Sequence, residues 1–163
     1  MKYSIWLIPN NPVYSNLKSI IYPLADANNA PRFEPHLTLL GDIEGRIPDI
    51  TDKMQTLVKD LKDLELTLSE VSISTTFFQS VFVRIKSTSA LMQLNLDAKK
   101  LFKTENNVFM PHISLFYGGS LKEREEIAGK INLERDSFRI TKMVLAPVTE
   151  DPKDWKILAE INL

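Results

Sequence analysis

Met110-Pro111-His112-Ile113-Ser114-Leu115-Phe116-Tyr117-Gly118 contains one of the two histidines in the chain. The other lies in Glu34-Pro35-His36-Leu37-Thr38-Leu39-Leu40-Gly41. In both stretches proline precedes the histidine, and an aliphatic residue, a small hydroxyl residue and leucine follow it. Each reads as a β-strand, His36 to Leu40 and His112 to Tyr117, because β-branched and apolar residues run up to a glycine. On a strand, residues two apart share a face. His36 and Thr38 therefore point one way, as do His112 and Ser114, while Leu37 and Ile113 point to the opposite, packed side.

The rest of the chain supplies a frame for these strands. Further strands are expected at Tyr3 to Ile8, Leu66 to Ser74, Ser80 to Lys86, Ser137 to Val148 and Lys156 to Leu163. The alternation slips near Glu70, which predicts a bulge. Apolar stripes at helical spacing predict helices from Tyr14 to Ala27, Pro48 to Leu64 and Ser89 to Phe102. A short charged helix is expected from Leu121 to Ile131. Ser15 or Asn16 is the expected cap of the first helix, and Pro23 should kink or end it. The order is β-α-β-α-β-β-α-β-α-β-β. The histidine strands lie about half a chain length apart, each after a helix and before another, as in an internal duplication of two α+β lobes.

With 163 residues, 44% hydrophobic and 25% charged, the chain suits one globular domain spanning 1–163, formed of two lobes that share a core. The formal net charge of −1 provides no field for a long polyanion, so no stable nucleic-acid partner is expected. A small phosphorylated ligand needs only local donors and remains open. There is no cysteine, which removes thiol catalysis, disulfides and Cys-zinc sites. The first residues lack the pattern of a signal peptide, and no apolar run reaches the length of a membrane span. The expectation is a cytoplasmic monomer.

Two imidazoles and two hydroxyls facing one cleft suit in-line displacement at phosphorus. One imidazole takes a proton from the attacking nucleophile and the other gives one to the departing oxygen, while the hydroxyls hold the non-bridging oxygens. A metal site needs three or four ligands, and there is no third histidine and no His-Glu-x-x-His pattern, so neither metal nor cofactor is expected. A single histidine or aromatic on a strand is commonly core. It is the matched pair of frames that favours a site. Trp6 and Phe77-Phe78 are either core or, if they flank the cleft, platforms for a nucleobase. Tyr117 should face away from Ser114 by parity, unless the strand ends there; Gly118-Gly119 permits that.

The paired Pro-His-x-Thr/Ser segments resemble the two-histidine phosphoesterase superfamily. Within it the plant and fungal cyclic phosphodiesterases are similar through Tyr3-Ser4-Ile5-Trp6, Pro31-Arg32-Phe33-Glu34-Pro35-His36-Leu37-Thr38, Thr76-Phe77-Phe78-Gln79-Ser80-Val81-Phe82, Met110 to Tyr117 and Ser137-Phe138-Arg139. The resemblance implies a bilobal, pseudo-symmetric α+β fold, with two antiparallel sheets lining a central cleft and helices packed outside. It implies hydrolysis of ADP-ribose 1″,2″-cyclic phosphate, a tRNA-splicing by-product, and of nucleoside 2′,3′-cyclic phosphates to 2′-phosphates. His36 and His112 correspond to the catalytic pair, and Thr38, Ser114 and Tyr117 to phosphate-binding positions. Trp6, Phe77 and Phe78 correspond to aromatic residues near the base. Plant members carry cysteines that this chain lacks, so redox control of a loop is not transferred. An RNA end-processing ligase or nuclease of the same superfamily, or a non-catalytic nucleotide-binding module, remains an alternative.

Overall fold

Strand alternation divides the apolar residues between two buried surfaces. In β1 (Tyr3–Pro9), Tyr3, Ile5 and Leu7 enter the main core, whereas Trp6 joins a second, smaller cluster with Val144 and Ala146. The same division holds in β2 (Leu37–Ile43), β4 (Val81–Ile85), β5 (His112–Phe116) and β6 (Ser137–Pro147). Leu37, Leu39, Val83, Ile85, Ile113, Leu115, Met143 and Leu145 all lie in the main core. The opposite faces carry Thr38, Phe82, Arg84, His112 and Ser114. Both faces of these strands are covered, one by helices and one by the groove described below.

The computed structural model describes residues 1–104 and 108–163. Its strands pair antiparallel in the order β1-β2-β5-β4-β3-β6-β7, with β3 at Glu65–Ile73 and β7 at Ala159–Asn162, and β1 also pairs with β6. Six strands thus close a barrel-like ring. One edge of β6 serves β3 through residues 137–139 and β7 through 142–145, while β1 runs along the other edge. Where the resemblance implied two sheets, the strands form one continuous seven-stranded sheet, narrowest at the single pair Leu37↔Ile113 between β2 and β5 and at Glu65–Thr67 against Ser137–Arg139. Read from either histidine strand, the order is equivalent: β2-β1-β6 on one side, β5-β4-β3 on the other. The bulge expected near Glu70 is the register shift between Leu68 and Val71.

Helices cover the outer face. α1 (Val13–Ala27) buries Val13, Leu17, Ile21 and Ala25, and α3 (Ser89–Phe102) buries Leu91, Leu94 and Ala98. α1 continues through Pro23 instead of ending there. Pro23 and Ser19 are both exposed, so the Ser19 carbonyl that loses its helical donor faces water. Neither Ser15 nor Asn16 caps α1; Asn11 Oδ1 accepts from the Ser15 backbone N–H at 3.3 Å and from its hydroxyl at 2.6 Å. α2 (Ile47–Val58) stops six residues before the predicted Leu64. Leu64 is instead buried in the core at the entry to β3, a position the chain reaches only by leaving the helix. α4 (Leu121–Lys130) opens with a Ser120/Glu123 capping box.

Candidate active site

The Leu37↔Ile113 pairing sets the geometry of the site. Counting one residue outward in this antiparallel register places His36 opposite Ser114 and Thr38 opposite His112. Each imidazole thus lies across from the hydroxyl residue of the other strand, about a local twofold through two fully buried aliphatic side chains. All four residues line one groove of about 250 Å³, together with Ser4, Trp6, Phe78, Gln79, Tyr117 and Trp155.

Both rings are held in the same way. His36 Nδ1–H donates to the Glu34 carbonyl at 2.7 Å, and His112 Nδ1–H donates to the Met110 carbonyl at 2.8 Å. A carbonyl oxygen only accepts, so each neutral ring carries its hydrogen on Nδ1 and leaves Nε2 as the basic nitrogen. The proline in each frame contributes to this bond. It holds the preceding residue extended and fixes its own φ, so the carbonyl two residues back turns toward the imidazole.

Burial disfavours the charged form of both rings. His36 is pushed down from its ordinary value to about 4 by desolvation, opposed by its bond to the Glu34 carbonyl, with the nearby His112 adding repulsion. His112 is lowered first by burial, again opposed by its carbonyl bond, and further by the Arg84 guanidinium. Arg84 is its cross-strand partner and donates to Ser72 Oγ at 3.0 Å and to Met110 Sδ at 3.0 Å. At neutral pH both imidazoles are therefore uncharged in the free protein.

The hydroxyls differ. Among the described residues Thr38 Oγ1 makes no hydrogen bond, whereas Ser114 Oγ donates to the Phe78 carbonyl at 3.0 Å. Tyr117 lies beyond the last β5 residue, Phe116, where the chain leaves the strand before Gly118 at φ 104°. That departure brings it into the groove despite strand parity. Its burial raises the phenol above the usual range, so the hydroxyl keeps its proton and can donate.

Trp6 stacks on His36 with centroids 3.9 Å apart, and its Nε1–H donates to Ser4 Oγ at 2.9 Å. Phe78 lines the groove, while Phe77 is 45% exposed and only touches the Phe78 and Tyr117 rings. The sequence reading missed two aromatics. Phe33 stacks on Tyr117 at 4.1 Å. Trp155 stands edge-on to His36 at 5.7 Å and to Trp6 at 5.3 Å, and also meets Phe78 and Tyr117. Trp155 follows the polar loop from Thr149 to Asp154, where no hydrophobic period marks it; the rarity of tryptophan, two in the chain, was the available signal. Among the described residues no group of three or more His, Asp or Glu side chains is placed to hold a metal. No helix among them is long and apolar enough to cross a membrane.

Comparison with known proteins agrees with this geometry. A family model described as "Cyclic phosphodiesterase-like protein" matches residues 1–163. The chain is 28% identical to a cyclic phosphodiesterase of Arabidopsis thaliana, covering 99% of this chain and 94% of that protein. It is 21% identical to a putative phosphoesterase of Staphylococcus saprophyticus, over 79% and 80% of the two chains. Among solved structures, a phosphoesterase superposes with a TM-score of 0.65 at 14% identity, covering 99% of this chain and 98% of the other. LigT of E. coli in complex with 3′-AMP superposes with a TM-score of 0.61, also at 14% identity, covering 100% and 99%. The matched histidine frames, the barrel-like α+β fold and the family model together place this chain in the cyclic phosphodiesterase-like family of the two-histidine phosphoesterase superfamily.

Proposed function

We propose that the chain is a metal-independent cyclic phosphodiesterase. It would open ADP-ribose 1″,2″-cyclic phosphate to ADP-ribose 1″-phosphate, and nucleoside 2′,3′-cyclic phosphates to nucleoside 2′-phosphates, downstream of tRNA splicing. The observation that carries this reading is the pair of imidazoles in one groove, each pinned at Nδ1, with Nε2 free and the other strand's hydroxyl opposite. The 28% identical Arabidopsis cyclic phosphodiesterase supports the same reaction class. The domain is read as residues 1–163, its two pseudo-symmetric lobes being β2-β1-β6-β7 and β5-β4-β3, in a cytoplasmic monomer.

His112 is assigned as the base that activates water and His36 as the acid that protonates the leaving oxygen. His112 Nε2 takes a proton from water, the water oxygen bonds to phosphorus, and the phosphorus–O3′ bond breaks. His36 gives its proton to the leaving oxygen. Net addition of one water leaves the phosphate on O2′. Burial keeps His36 neutral in the free protein, so its imidazolium forms as the phosphate anion arrives. Thr38, Ser114 and the neutral Tyr117 phenol donate to the non-bridging oxygens, and Ser114 releases the Phe78 carbonyl to do so. Trp6, Phe78 and Trp155 offer faces and edges to a base; Phe77 lies at the rim.

The test is turnover of a 2′,3′-cyclic nucleotide with the product isomer identified. The expected result is the 2′-phosphate, unchanged rate in EDTA, and loss of about 10²–10⁴-fold for His36→Ala and for His112→Ala with circular dichroism unaltered. Near-normal hydrolysis by either variant would refute the two-histidine mechanism, and inactivation by EDTA would refute metal independence.

A further inference from the structure

The two histidine frames are alike from the proline onward but differ at the residue before it. The Met110 carbonyl accepts from His112 Nδ1–H, and the Glu34 carbonyl accepts from His36 Nδ1–H. The Glu34 side chain is tied to α1 by three donors. Tyr14 and Tyr22 each donate a phenolic hydrogen to the carboxylate, and Lys18 Nζ lies 3.0 and 3.1 Å from its two oxygens. Residues 14, 18 and 22 are four apart, so they form one stripe along the helix and converge on a single carboxylate. Burial pushes Glu34 up, but the Tyr14, Tyr22 and Lys18 bonds outweigh it and the carboxyl is held below its ordinary range. Tyr14 is raised by burial and by Glu34, and Lys18 is raised chiefly by its bond to Glu34. At neutral pH this is a charged carboxylate with every donor protonated.

This anchor sits where the chain has little else to fix it. Residues 31–36 belong to no helix or strand, and Pro35 has no N–H to give. On the groove side Phe33 is pinned against Tyr117, and on the α1 side Glu34 is pinned by the stripe. The equivalent residue on the other strand has a weaker hold, a thioether accepting from Arg84.

We propose that Glu34 is a positioning residue for His36: its clamped carboxylate fixes the backbone carbonyl that sets the tautomer and rotation of the imidazole. This rests on the reading of His36 as a proton-transfer group. Site residues need to be held to roughly 0.5 Å and 10–20°, and displacement of about 1 Å costs up to about 10²-fold in rate.

Two measurements test it, and only one requires turnover. In Glu34→Val, kcat falls about 10–100-fold with KM within about threefold, and Glu34→Gln, which keeps an acceptor, recovers much of the loss. Tyr14→Phe alone gives a smaller loss and adds nothing to Glu34→Val, because both break the same clamp. Asp26→Ala, which cuts only the exposed Arg32 pair in the same segment, leaves kcat unchanged. Separately, ¹⁵N-resolved NMR of the imidazole shows the His36 Nδ1–H signal ordered in the wild type and broadened, or divided between tautomers, in Glu34→Val. An unchanged His36 signal in Glu34→Val overturns the proposal whether or not the protein turns over cyclic nucleotides. A kcat loss equal to that of Asp26→Ala overturns it as well. A wild type that hydrolyses no cyclic phosphate refutes the proposed function, and the NMR measurement still decides the positioning role.

Discussion

His36 and His112 share a local frame but not an environment, and the difference should be visible in the pH dependence. Both are lowered by burial and neutral in the free protein at pH 7, His36 being pushed down to about 4. The proposed mechanism needs one ring neutral and one protonated, so each rate profile should be a bell between two apparent values. For kcat/KM those values belong to the free protein. With both rings depressed, the bell for kcat/KM should be centred below pH 6.5. A bound phosphate anion favours both imidazolium forms, so the bell for kcat should lie at higher pH than that for kcat/KM. Rates across pH 4 to 9 with a saturable cyclic nucleotide measure both. A kcat/KM optimum above pH 7, or a kcat profile displaced toward acid, would mean that burial does not govern these imidazoles.

At the scale of elements, the order of strands and helices was legible in the sequence because their periods are clear, and α3 was located at both ends. The errors came where tertiary packing overrode local propensity. Pro23 sits on the wet side of α1, where a lost hydrogen bond costs little, and Leu64 is drawn into the core at the start of β3. That the two Pro-His frames would meet in one groove was legible in their repeated pattern. Trp155 was not, because a loop residue acquires its neighbours only through the path of the whole chain. Its placement carries a prediction. Trp155 walls both the histidine groove and a neighbouring cavity of about 720 Å³ that is also lined by Tyr14, Tyr22 and Glu34. Trp155→Ala would join the two spaces and remove one aromatic surface while leaving the imidazole bonds intact. Base stacking is worth about 1–3 kcal/mol, so KM for a cyclic nucleotide should rise roughly 5–150-fold with kcat within about threefold. Steady-state kinetics decides the point, and an unchanged KM would place the base elsewhere.

The whole molecule holds His36 and His112 inside a closed ring of strands, so the protonation of these imidazoles and global stability are linked. His36 is 6% exposed, and the Leu37↔Ile113 seam beside it joins the two sides of the ring. An unfolded chain protonates this histidine below about pH 6.5, while the folded chain resists until about pH 4. Between those values the unfolded state binds more protons, so unfolding free energy falls as pH falls. The full effect approaches about 3 kcal/mol by the lower end of that window, a large share of the 5–15 kcal/mol typical of a domain. Glu34 is lowered from the usual 4.5, so its own contribution starts to be lost as pH falls through about 4.5, at the lower end of this window, and equally in a His36 variant. Denaturant midpoints at pH 7.5 and 4.8 should therefore differ much more in the wild type than in His36→Asn. Asparagine keeps an N–H for the Glu34 carbonyl but cannot take a proton. Equal pH sensitivity in the two proteins would show that acid acts on the fold through other groups, and that the burial of His36 carries no cost in stability.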